Sequence, residues 1–394
     1  MVRKRYLQPL VTRDLEKKMV FVAGPRQVGK TTMAQMIGDA EYGNYSYLNW
    51  DNREDRKAIL EGEYRSEAKL VIFDEIHKYK KWKNYVKGEF DKYKQKFHIL
   101  VTGSARLDLY RMGGDSLMGR YHYFRLHPFS VAEALETDFN SKTGDELQFD
   151  KKIEQRRLIK FFDDLFKFGG FPEPFLSKNF RTLRRFHNQR LDRLIKEDIR
   201  DVELVRDLSA LQILVEILPD KVGAPLSLNS LREDLEVNYK TIKLWMDILE
   251  RFYYHFRIYP YSARTIKSLR KEAKMYLWDW SQIKNEDIKF ENMVASHLLK
   301  LVHYLYDSEG YKTELFYLRD VAGREVDFLM TVDKKPWMVI EVKMTKQQIS
   351  TQLRYFIDRL KVPFAYQVVK ETGVDFWKER IRIMSADKFL SGLV

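Results

Sequence analysis

Eight consecutive residues, Gly24-Pro25-Arg26-Gln27-Val28-Gly29-Lys30-Thr31, have the spacing GxxxxGK[ST]. Glycines at both ends let backbone N–H groups turn inward around a polyanion, and the lysine and hydroxyl at the exit supply a cation and an oxygen ligand. The chemistry this suits is capture of a nucleoside triphosphate, with ATP the expected ligand. Lys30 would reach the β- and γ-phosphates, the Thr31 hydroxyl would ligate Mg²⁺, and Thr32 would carry the cradle into the next helix.

Leu70-Val71-Ile72-Phe73-Asp74-Glu75 is an apolar run ending in two carboxylates. Asp74 is expected to hold Mg²⁺ through its water shell, and Glu75 to orient and deprotonate an attacking water. Ile99–Thr102 ends in Thr102-Gly103-Ser104. There Ser104, or failing that Thr102, suits a polar sensor of the γ-phosphate; a plain helix N-cap is the alternative. Arg120, in Leu117-Met118-Gly119-Arg120, suits an arginine finger that adds positive charge to the transferring phosphoryl group across a subunit boundary of a homo-oligomer. A structural arginine at a helix end competes with that reading.

A second carboxylate set lies far downstream, in Glu325-Val326-Asp327 and Glu341-Val342-Lys343. Strand alternation puts Glu325 with Asp327 on one face and Glu341 with Lys343 on another, and the turn Asp333-Lys334-Lys335-Pro336 folds the two strands together. Asp327 beside Glu341 would ligate Mg²⁺ or Mn²⁺ and lower the pKa of a bound water, with Lys343 positioning the hydroxide. A charged but inert strand pair is the alternative.

The elements that must position these groups are legible as apolar runs. Met19–Ala23, Tyr45–Asn49, Leu70–Phe73, Ile99–Thr102 and Tyr121–Leu126 read as five strands of a mainly parallel sheet, separated by helices over Thr32–Ile37, Glu54–Glu61 and Trp82–Tyr93. A helical stretch follows from Ile153. Leu208–Leu218, Leu228–Leu235 and Tyr239–Arg251 then form three short helices before the strand Phe252–Tyr259, a pattern that fits a winged helix. In the third of these Ile242, Trp245, Met246 and Leu249 share an apolar face, leaving Tyr239, Lys240 and Lys243 for DNA phosphates or base edges. The bland alternative is a module that only packs between larger domains. Phe290–Tyr306 reads as a helix and Glu314–Leu318 as a strand ahead of the acidic hairpin.

At 394 residues the chain is too long for one ordinary core. Its net charge of +13 favours a polyanionic partner, here DNA. With no cysteine, disulfides, thiolate zinc sites and thiol nucleophiles are excluded. No apolar stretch approaches the roughly 18 residues of a membrane span, and the basic N-terminus lacks a signal-peptide core, so no membrane partner and a cytoplasmic location are expected.

GPRQVGKTT, LVIFDEIHK, VTGSA and GRYHYFRLHPFS with Glu133, together with Gly169-Gly170-Phe171-Pro172-Glu173 and Lys274-Met275-Tyr276-Leu277-Trp278-Asp279, resemble a prokaryotic set of AAA-type P-loop ATPases. The resemblance spans nearly the whole chain. In that set the ATPase is fused to a C-terminal region similar to PD-(D/E)XK nucleases. Trp280 departs from it, standing where members carry Thr-Gly. The resemblance implies an α/β chain with a parallel-sheet AAA-type core over residues 1–136, a helical linker over 137–206, a winged-helix-like domain over 207–265 and a nuclease-like α/β domain over 266–394. It also implies Glu291 as a further metal ligand. Function is then expected to be Mg²⁺-dependent ATP hydrolysis whose nucleotide state controls a DNA-interacting, nuclease-like half. The alternative is a non-nucleolytic switch or remodeller that docks a DNA or protein partner.

Overall fold

A computed structural model describes residues 3–104, 107, 117–149, 153–199, 205, 207–261, 272–345 and 348–394. The expected boundary at 265–266 lies outside them. The chain divides into two compact units, Met1–His127 and Pro128–Val394.

In the first unit all five expected strands form: β1 (Met19–Ala23), β2 (Tyr45–Asn49), β3 (Leu70–Asp74), β4 (His98–Thr102) and β5 (Tyr121–Arg125). They pair in parallel in the order β2-β3-β4-β1-β5. β1 and β3 are buried at every position, which is why they read as unbroken apolar runs. The helices are α1 (Gln8–Leu15), α2 (Lys30–Ile37), α3 (Arg53–Glu61) and α4 (Trp82–Tyr93). α3 starts where the Asn52 side chain accepts from the Glu54 and Asp55 N–H groups. α2 starts two residues before the expected Thr32, because Gly29, at φ 96°, turns the chain straight into the helix. Parallel strands joined by helices end on one edge of the sheet, so the carboxyl ends of β1, β3 and β4 lie together: Val22 pairs with Thr102, and Thr102 with Asp74.

The second unit contains α5 (Gln155–Phe168), α6 (Phe180–Arg193), and a run of three shorter helices, α7 (Leu208–Ile217), α8 (Leu228–Asp234) and α9 (Tyr239–Arg251). The hairpin β6 (His255–Pro260) and β7 (Lys274–Leu277) follows, then the long α10 (Glu286–Glu309). β8 (Thr313–Arg319), β9 (Glu325–Val332), β10 (Lys335–Lys343), α11 (Thr351–Leu360), β11 (Phe364–Val369), β12 (Asp375–Lys378) and β13 (Ile381–Ser385) come next, and a short helix over Ala386–Ser391 follows them. Eight strands form one mixed sheet, in the order β12-β13-β11-β10-β9-β8-β6-β7. The β9–β10 turn is tight, with Asp333 and Lys334 both at positive φ. Trp280, the departure from the family pattern, is a core residue: it is 1% exposed and its indole N–H donates to the Leu165 carbonyl at 2.9 Å. The Asp279 before it sits against Arg190 (3.6 Å) and His187 (3.5 Å) of α6. The Gly169–Glu173 and Lys274–Asp279 motifs also meet inside this unit, a Cβ at Gly169 falling 2.9 Å from Asp279 Oδ1.

Candidate functional site

The glycine-rich loop leaves β1 and enters α2. Gly24 has φ 148°, and a Cβ there would fall 2.4 Å from the Leu126 carbonyl oxygen, so the loop can pass the exit of β5 only with glycine. Pro25, Arg26, Gln27 and Val28 form its body, with Gln27 in the left-handed region. Arg5 is buried and ties the loop down, donating to the carbonyls of Val28 and His127 at 2.5 Å each. The Lys30 ammonium donates to the carbonyls of Gly24 (3.0 Å) and Pro25 (2.8 Å), which holds it within the loop. Thr32 is exposed on the first turn of α2.

At the end of β3, Asp74 is buried and accepts three hydroxyl hydrogen bonds. Thr31 Oγ1 (2.7 Å) and Tyr47 OH (2.8 Å) donate to Oδ2, and Thr102 Oγ1 (2.6 Å) donates to Oδ1. The Thr31 hydroxyl and the Asp74 carboxylate are thus adjacent hard oxygen donors beside a phosphate loop, and that donor set fits Mg²⁺. Glu75 follows at φ 56°, its N–H donating to the Thr102 carbonyl at 3.0 Å. Its Oε2 is buried with no hydrogen-bond partner; His77 Nε2 lies at 3.5 Å and Lys78 Nζ at 3.7 Å. Burial holds the Glu75 carboxyl above the usual range, against the pull of Lys30 and Lys78. Ser104 is buried just past the tip of β4. Thr102, its competitor as sensor, spends its hydroxyl on Asp74.

Arg120 is not brought to this edge. It precedes β5, where its carbonyl accepts the Met19 N–H at 3.1 Å, at the opposite end of the β1–β5 pair from Gly24. At the strand rise per residue that is roughly 17 Å away along the backbone. Its guanidinium pairs with Asp91 of α4 at 2.9 Å. Sequence inspection had no signal for Tyr47, Arg5 or His77. Tyr47 reaches Asp74 from β2, Arg5 reaches the loop carbonyl of Val28 from the segment before α1, and His77 lies beside Glu75.

In the second unit β9 and β10 carry the other carboxylates as alternation requires. The Val342 N–H donates to Asp327 Oδ2 at 2.8 Å, and Lys343 Nζ lies 2.7 Å from Glu341 Oε1. Glu291, on α10, accepts from Tyr276 OH at 2.6 Å. An unexpected residue is in their midst. Lys274 of β7 is 2% exposed, with Nζ 2.7 Å from Glu325, 3.6 Å from Glu291 and 4.0 Å from Asp327. Burial raises the carboxyls of Glu291, Asp327 and Glu341 above the usual range. Among the described residues no group of three or more His, Asp or Glu side chains is arranged to hold a metal ion. The expected Mg²⁺ or Mn²⁺ ligands Glu291, Asp327 and Glu341 thus do not stand as a ready ligand group: Lys274 lies beside Glu291 and Asp327, and Lys343 pairs with Glu341.

Residues 16–135 match the family model of an AAA domain. That match takes in most of the first unit, including the phosphate loop and the Asp74–Glu75 strand end. Residues 159–283 and 288–389 match two domains of unknown function, DUF8612 and DUF4143. The uncharacterized protein MJ1544 of Methanocaldococcus jannaschii is 23% identical over 377 residues, covering 89% of this chain and 82% of that protein. An uncharacterized protein of Haemophilus influenzae is 23% identical over 349 residues, covering 83% of each. Among solved structures, the RuvB Holliday junction branch migration motor of Thermotoga maritima aligns over 67% of this chain and 93% of its own, with 19% identity and a TM-score of 0.32. No helix among the described residues is long and apolar enough to cross a membrane.

Proposed function

We propose that this chain is a cytoplasmic, Mg²⁺-dependent ATPase whose nucleotide state controls the interaction of its second unit with DNA. Lys30 and the backbone of residues 24–31 bind the phosphates, Thr31 and Asp74 are the residues that would hold Mg²⁺, and Glu75 takes the proton of the attacking water. When bound, the ion neutralises phosphate charge. The observation that carries the reading is the convergence of three hydroxyls on Asp74, next to a buried Glu75 oxygen that accepts no hydrogen bond from the protein. A base whose oxygen accepts no hydrogen bond, in a water-poor setting that raises its proton affinity, is suited to accept a proton. Ser104 has the position of a sensor.

On the second unit, the run α7–α9 followed by the β6–β7 hairpin supports a winged-helix reading. Tyr239 is 47% exposed at the start of α9, in keeping with an outward role for it, Lys240 and Lys243. Of the two readings for this half, a non-nucleolytic switch is favoured over cleavage at Asp327, Glu341 and Lys343, because Lys274 fills the carboxylate cluster. The test is incubation of the full chain with labelled single-stranded, duplex and branched DNA, with Mg²⁺ or Mn²⁺, with and without ATP. The proposal expects ATP turnover, DNA affinity that falls steeply with salt through counterion release, and no cleavage. Nucleotide-insensitive DNA binding would refute the control, and cleavage lost in Glu341→Ala would restore the nuclease reading.

A further inference from the structure

We propose that Lys274 is the resident cation of the carboxylate cluster on β9, β10 and α10, occupying the place of a divalent metal ion and keeping the second unit metal-free. This goes beyond the ATPase reading and does not depend on DNA being the partner.

Four carboxylates, Glu291, Glu325, Asp327 and Glu341, are drawn together in a part of the sheet where every one is at most half-exposed. Such a concentration of like charge needs cations. An ammonium has three N–H donors and no acceptor, and three carboxylates surround Nζ of Lys274 within 4.0 Å. The fourth, Glu341, is held by Lys343. Lys274 is not a surface lysine that happened to fold inward. It begins β7, whose four residues are all buried, and the β6–β7 register, with Lys274 opposite Ile258, fixes its Cα. The Tyr317 ring lies 5.6 Å from Nζ, lining the cation's environment on another side. The two remaining ligand positions are also engaged: Tyr276 holds Glu291 and the Val342 N–H holds Asp327. A metal ion held by Glu291 and Asp327 together would lie within a few ångströms of the Lys274 ammonium, which is itself within 4.0 Å of both, and repulsion between them opposes binding unless the ammonium leaves.

One variant separates occupancy from charge. In Lys274→Met/Glu325→Gln one cation and one anion are lost together, so the net charge of the cluster is unchanged while the central position is vacated. Replacing a buried ion pair by neutral groups of similar volume is often tolerated. Mn²⁺ binding to the full chain without nucleotide is followed by electron paramagnetic resonance, with Glu341→Ala made in each background to separate this cluster from Asp74. The expected result is no Glu341-dependent Mn²⁺ binding by the wild type, and Glu341-dependent binding at least tenfold tighter in the double variant. Glu341-dependent binding by the wild type overturns the proposal, whether or not the variant folds. A folded double variant that gains no Mn²⁺ site overturns it as well, leaving Lys274 as an ordinary structural ion pair.

Discussion

Replacing Glu75 by glutamine keeps the side chain's shape and removes its capacity to take a proton. General-base catalysis contributes about 10²–10⁴ in rate. The kcat for ATP should fall by that factor, about 2.7–5.4 kcal/mol of barrier, while binding through Lys30, Thr31 and Asp74 persists. The structure adds a second signature. Glu75 Oε2 is a buried acceptor without a hydrogen bond, and such a group costs about 1–3 kcal/mol. Burial also raises its carboxyl above the ordinary value. For an acid raised in the folded state, the folding penalty attaches to ionisation: it is absent below the unfolded-chain value, grows as pH rises, and is complete above the folded value. Glutamine carries no such charge. Relative to wild type, the variant should therefore gain stability as pH rises through the titration of this carboxyl and lose that advantage in acid. Coupled ATPase assays, nucleotide titration and denaturant unfolding of the first unit at several pH values measure all three effects. Turnover at the wild-type rate, or a variant that gains no stability relative to wild type as pH rises, would refute the role given to this carboxylate.

Thr102→Val removes one of three hydroxyl donors to buried Asp74; unfolding of the first unit should show a loss of about 1.5–3 kcal/mol, the worth of a hydrogen bond to a charged group. Tyr47→Phe removes another but at a more exposed position, so its loss should be smaller, and the reverse order would argue against the Asp74 network. Arg120→Ala should leave ATP turnover within about twofold, since its guanidinium pairs with Asp91 at the far end of β5; recovery of activity on mixing Arg120→Ala with Glu75→Gln subunits would instead reinstate a finger acting between subunits. His255 and His297 are buried, and burial pushes their imidazoles down to about 4 and about 3. Because these folded values lie below the ordinary one, stability is present above about pH 6.5 and lost as pH falls; at pH 5 protonation favours each unfolded-state histidine by about 2 kcal/mol. Denaturant unfolding of wild type and His255→Gln at pH 7.5 and 5 isolates one such contribution from the opposite effect of the raised Glu291 and Glu341 carboxyls: on acidification the wild type should lose about 2 kcal/mol relative to the variant.

The phosphate loop was readable because all its functional parts lie within eight residues, and a tight turn places neighbours in sequence as neighbours in space. The five parallel strands were readable for a related reason: a strand buried on both faces must be apolar at every step, as β1 and β3 are. Alternation likewise sufficed to put Glu341 and Lys343 on one face of β10, where they form an ion pair. What the chain order conceals is which strands become neighbours and in which direction they run. Tyr47 and Thr102 reach Asp74 only because β2 and β4 flank β3 in register. Arg120 is carried away from the loop because β5 runs parallel to β1 and begins at the opposite edge. The hairpin turn spoke for carboxylates drawn together and, with Glu291, for a metal site. The residue that bears on that site, Lys274, lies on a four-residue strand far upstream and enters through sheet pairing and α10 packing. Local sequence determines which groups a segment offers and which way they point; whether an acidic cluster receives a metal ion or an ammonium is decided by long-range packing, which no short window of residues encodes.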